Sequence, residues 1–153
     1  MTAQTTIALF VNDAAHAQAA LKSLRPGQAS VQWVLVACPP MLSRHIGRWV
    51  SQSGRRHWIE RWSRDLLQEV EQQVRFEGAA GVERVVAQKS LVHISTQLKT
   101  RYGAVQLVDA RRPHLGRTPE PLEASHQPET QVSRGWFPLF LTTGLGAIFA
   151  LGD

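Results

Sequence analysis

The sequence predicts an α/β fold, a parallel four-stranded sheet with helices on both faces, followed by a hydrophobic C-terminal helix. Three observations carry this. Short apolar runs alternate with segments of helical period, in the order strand, helix, strand, helix, strand, helix, strand. The runs TTIALFV (5–11) and VQWVLVAC (31–38) are rich in strand formers and long enough only for buried strands. From Trp136 to Leu151 no residue is charged.

The elements follow in chain order. Strand 5–11 ends at Asn12 and Asp13, either of which can cap the next helix. That helix places Ala14, Ala17, Leu21 and Leu24 at helical spacing, and Arg25-Pro26-Gly27 stops it. Strand 31–38 ends at Pro39 and Pro40, which cannot donate to a ladder. Residues 41–53 set Leu42, Ile46, Trp49, Val50 and Ser53 on one helical stripe. Residues 55–76 repeat the pattern with Ile59, Trp62, Leu66, Val70 and Val74, and a break is expected near Gly54. After a turn at 78–81 come a strand at 82–88, a helix at 90–103 between Ser90 and Gly103, and a strand at 104–110. Beyond Arg112 the composition turns proline-rich and polar, without apolar period. The expected organisation is an α/β unit over 1–112, a linker over 113–134 and a hydrophobic tail over 135–153.

The chain of 153 residues is long enough to bury a sizeable core. One cysteine, Cys38, excludes an internal disulfide and a multi-cysteine zinc site. The net charge of +5 permits nucleic acid, anionic lipid or an acidic partner and selects none of them. The start, MTAQTTIALFVND, lacks the charged and long apolar regions of a cleavable signal peptide. No nucleophile elbow, phosphate-binding lysine loop or metal-ligand spacing is present, so no catalytic residue and no metal site is expected. Asp13 and Asp109 both end strands, where α/β sheets hold ligands, although strand-end aspartates are also ordinary caps. The segment RHIGRWVSQSGRRHWIERWSRD (44–65) mixes arginine with Trp49, Trp58 and Trp62. The preferred reading is a helix that buries Trp49 and Trp62 and leaves its arginines in water. Of the binding alternatives, lipid outranks nucleic acid.

The stretches IALFVNDAAHAQAAL, WVLVACPP and VERVVAQKSLVHISTQLKTRYGAVQLVDARR resemble, in turn, the opening strand and helix, the second strand with its proline loop, and the third strand, helix and fourth strand of the universal stress protein family. The resemblance covers about residues 5–112 and lies in the pattern of elements. It implies a nucleotide-binding type of α/β fold, with Asp13 as the position for a ribose- or adenine-side contact and Asn12 competing for it. ATP-binding members of the family carry a glycine-rich stretch after the fourth strand; here VDARRPHLGRTPEP holds Gly116 alone. No cofactor is therefore expected by the family's usual route, with ATP or AMP as the alternative at Asn12, Asp13 and Asp109. The family also adds a fourth helix and a fifth strand, which have no counterpart here. An unpaired edge at 104–110 would then be covered by the linker, a second copy or another protein.

The tail reads as a candidate transmembrane anchor. Trp136 to Gly152 would span about 26 Å as a helix, near the short limit for a bilayer core. Trp136, Phe137, Leu139, Phe140, Leu141, Leu145, Ile148, Phe149 and Leu151 would face lipid, and Arg134 would snorkel. Thr143 with Ala147, and Gly146 with Ala150, are small residues four apart that let another helix approach. The alternative is a helix packed back on the core. With the basic domain on the N-terminal side, the positive-inside rule sets that domain at the cytoplasmic face of the inner membrane. The expected function is a non-catalytic, membrane-tethered accessory or regulatory subunit partnered by a membrane or an integral membrane protein. An adenine-nucleotide-binding stress sensor is the alternative.

Overall fold

The computed structural model describes residues 5–24, 30–41 and 44–124. The tail at 135–153, the rest of the proline-rich segment and Leu42 lie outside the described residues. Within them the chain is an α/β unit with a four-stranded, wholly parallel sheet. The elements are β1 (Thr5–Val11), α1 (Ala14–Ser23), β2 (Val31–Ala37), α2 (Arg44–Gly47), α3 (Gln52–Phe76), β3 (Gly81–Val86), α4 (Leu91–Tyr102) and β4 (Val105–Asp109). The strand order is β3-β2-β1-β4. Thr5 pairs with Val31 and Phe10 with Asp109, so β1 and β2, the two most apolar strands, take the centre.

Side chains of alternate residues face opposite sides of the sheet. Ile7, Leu9, Val11, Trp33 and Leu35 pack with Leu21 of α1 and with Leu66, Leu67, Val70 and Val74 of α3. Ala8, Phe10, Val34 and Val36 pack on the other face with Leu91, Ile94 and Leu98 of α4, and with Leu122. Leu122 belongs to the proline-rich segment, whose described part runs along α4. There the Glu120 carboxylate accepts from the Leu91 backbone N–H at 2.7 Å, and Lys99 pairs with Glu123.

The helix caps are those the sequence indicates. Asp13 accepts from the His16 N–H at 2.8 Å, Ser90 caps α4, and Gly103 ends α4 at φ +70°, a conformation that favours glycine. The expected helix at 41–53 is not one. Residues 44–47 make a single turn, and the chain breaks at 48–51. Ser51, whose hydroxyl can accept where Gly54 has no side chain, opens α3 and accepts from the Gly54 N–H at 3.1 Å. Trp49, expected in the core, is 89% exposed.

The cause is the height of the sheet. The Ala79 N–H donates to the Val74 carbonyl and the Ala80 N–H to the Val31 carbonyl, which sets Val74 beside the start of β2. Climbing from there at about 1.5 Å per helical residue and about 3.3 Å per strand residue brings Trp62 level with Ala37, where β2 ends. Ser63 is accordingly the first buried residue of α3. Residues 52–61 stand about 15 Å proud of the sheet. An apolar stripe above that level has nothing to pack against.

Candidate functional site at the carboxyl ends of the strands

The chain leaves β1 for β2 on one side, while β4 enters on the other. The crevice between the carboxyl ends of β1 and β4 is therefore the topological switch point, where open α/β sheets hold ligands. Asn12, Asp13 and Asp109 all stand there. Each is already engaged by the chain itself. The Arg112 N–H donates to Asn12 Oδ1 at 2.6 Å, and Asn12 Nδ2 donates to the Arg112 carbonyl at 3.2 Å. This two-point clasp fastens the exit of β1 to the segment after β4. Asp13 caps α1, and its Oδ2 lies 3.6 Å from Arg112 Nη1.

Asp109 is held by Arg111 in a bidentate pair, Nε to Oδ1 at 2.8 Å and Nη2 to Oδ2 at 2.7 Å. The same Nη2 donates to the Glu120 carbonyl at 2.7 Å. The Arg111 side chain is only 11% exposed, so its charge is neutralised inside the fold. Burial alone would weaken that charge, but the Asp109 hydrogen bonds outweigh it and hold the guanidinium protonated. Where a phosphate-binding fold sets glycine backbone to approach a ligand, this chain sets two arginines and a clasp. Gly116, at φ +76°, sits in an exposed turn of the following segment.

Cys38 lies beyond β2, half-buried and packed against the apolar layer beneath α4. Burial pushes its thiol pKa up to about 12, so it is a protonated thiol at neutral pH rather than a nucleophile. Among the described residues no group of three His, Cys, Asp or Glu side chains could hold a metal ion. At the opposite end of the sheet, a groove of about 420 Å³ between α1 and α3 is lined by Gln18, Leu21, Lys22, Gln73, Phe76 and Glu77. It is an open groove whose ionisable lining residues are Lys22, Glu69 and Glu77.

The site residues read from sequence are thus gathered at one place, but as a closed polar network. Arg111, Arg112 and Glu120 were missed. One signal for the first was present: Asp109 and Arg111 are two apart on extended chain, a spacing that puts both side chains on one side. The arginine–tryptophan segment is also placed. Trp62 packs on the α1–α3 core, and Trp58 stacks on it with ring centroids 6.2 Å apart and planes at 20°.

Two carboxylates are expected to make the fold acid-sensitive. The His16 N–H, and then Arg112, hold the Asp13 carboxyl below its ordinary 3.8. The Arg75 hydrogen bond, joined by Arg84, holds Glu71 below its ordinary 4.5. A folded value below the unfolded one adds stability above the unfolded value, and that stability is lost as pH falls through the folded value. The urea midpoint is therefore expected to fall as pH drops from about 5 through the lowered values of both groups. Asp13→Asn keeps a capping side chain but does not titrate, and should flatten part of that fall. A midpoint unchanged by acid would show that these contacts carry no net stability.

The chain matches no protein-family model, no curated protein and no solved structure.

Proposed function

We propose that this chain is a non-catalytic, membrane-tethered accessory or regulatory subunit. Its α/β unit, of universal-stress-protein-like pattern, would be held at the cytoplasmic face of the inner membrane by the run Trp136–Leu151. The observation that carries the proposal is that run, sixteen residues without a charge following a basic domain. The filled switch point supports the non-catalytic part, because Asn12, Asp13 and Asp109 already serve as clasp, cap and ion-pair partner. It also argues against the alternative, a sensor holding an adenine nucleotide there. A nucleotide would have to displace the Asn12–Arg112 clasp and open the Asp109–Arg111 pair. The edge of β4, unpaired among the described residues, would be the seat for a second copy or a partner subunit where the linker does not cover it.

The test is alkaline extraction of membranes carrying the full chain beside a chain stopped at Ser133. The full chain should stay in the pellet and the shorter one should be released while still folded. Release of both, with unfolding of the shorter chain, would assign the run to the core and end the tethering proposal.

A further inference from the structure

The arm formed by residues 44–62, with Met41 preceding it in the chain, plays no part in the proposal above. It combines two properties seldom found together on a solvated surface. Met41 is 88% and Trp49 89% exposed, and Ile46, Val50 and Trp58 are exposed as well. Over the same residues the sequence carries five arginines, at 44, 48, 55, 56 and 61, against one carboxylate, Glu60. Arg48, Arg55, Arg56 and Arg61 are all exposed. The Arg55 guanidinium folds back against Gly47, where an added Cβ would meet its Nη2 at 2.8 Å, so α2 and the start of α3 form one knob. The knob stands above the sheet, clear of the core.

Two classes of polyanion suit such a surface, single-stranded nucleic acid and an anionic membrane. Nucleic acid is gripped by open aromatic faces on which bases stack. Here Trp62 covers one face of Trp58, which leaves Trp49 as the one largely exposed ring of the knob, while Met41, Ile46 and Val50 offer a base no ring, so no run of successive stacking platforms is present among the described residues. Aliphatic and tryptophan side chains ringed by arginine match the boundary between headgroups and acyl chains. We propose that the arm docks on an anionic membrane surface, with Met41, Ile46, Trp49 and Val50 in the interfacial layer and Arg48, Arg55 and Arg56 on lipid phosphates. The docking rests on the tethering reading, because the uncharged run would keep the arm at high effective concentration beside the bilayer.

The test uses the full chain with Cys38→Ala and Gln52→Cys, the new thiol carrying an environment-sensitive fluorophore. The chain is reconstituted into vesicles of phosphatidylcholine alone, or of phosphatidylcholine with phosphatidylglycerol. With phosphatidylglycerol the probe should shift to the blue and be quenched by brominated acyl chains; without it, the probe should report water. Salt at about 0.5 M should reverse the shift. Replacing Arg48, Arg55 and Arg56 together by Gln should lower the docking equilibrium constant about 100-fold, with helix content and resistance to alkaline wash unchanged. Trp49→Ser should weaken docking in the same assay. A probe that stays in water on phosphatidylglycerol vesicles, in a chain that survives the wash, would overturn docking and leave tethering intact. A chain that washes off with its probe in water would remove both. Equal insertion into the two vesicle types, or a response to oligothymidylate in place of vesicles, would also overturn the proposal.

Discussion

Leu145→Arg combined with Ile148→Arg is expected to release the chain from membranes at alkaline pH. The run Trp136–Leu151 contains eight Leu, Ile and Phe side chains. At roughly 0.3–0.6 kcal/mol each they favour insertion by about 2–5 kcal/mol in all. One arginine near the centre costs about 2.5–3.5 kcal/mol and brings that sum close to zero; two reverse it. Two glycines and a proline in the same stretch leave little reserve. The double variant should move from the washed pellet to the supernatant almost completely, while Leu145→Ala with Ile148→Ala should move only in part. Full retention of the arginine variant would mean that these residues do not meet lipid, and the run would have to be held by protein contacts instead.

Trp33→Ala is expected to be the most damaging single truncation within the sheet. Trp33 sits in β2, opposite Ile7 on one side and Val82 on the other, and is 2% exposed. Its ring fills the layer between the sheet and the helices α1 and α3. Removing a buried ring of this size costs about 3–5 kcal/mol, from lost transfer energy and from a void that rigid neighbours only partly close. Since whole domains are stable by only about 5–15 kcal/mol, much of the population should be unfolded at modest urea. Urea unfolding followed by ellipticity measures the shift. Trp49→Ala, a tryptophan in water, should leave the midpoint within about 0.5 kcal/mol of wild type. Equal losses at the two positions would contradict the burial described for them.

The contrast between those tryptophans shows what was legible in the sequence. The sheet was, because 7–11 and 33–37 are apolar at every position, as the interior of a doubly covered strand must be. The caps at Asp13, Ser90 and Gly103 were legible from residue type alone. Trp49 was not. Its helical spacing from Ile46 and Ser53 matches that of a core stripe, and only the height of β2 decides whether anything stands opposite. The crevice was half legible. Asn12, Asp13 and Asp109 are where strand-end logic puts them, but what occupies them comes from Arg111, Arg112 and Glu120. The last lies in a proline-rich stretch with no period to announce that Leu122 anchors it.

The position of β1 carries a consequence for synthesis on the ribosome. One side of β1 is satisfied early, by β2, only about 25 residues downstream. Its other side pairs with β4, and the Asn12–Arg112 clasp closes over |i−j| = 100. At about 5–20 residues per second, that second side waits roughly 5–20 s for its partner to be made. During the wait Thr6–Phe10 presents an apolar strand with open hydrogen-bonding groups, the form most prone to pair with another nascent chain. Translation speed across residues 30–110, and any chaperone that shields the first strand meanwhile, therefore govern how much of the chain reaches its fold.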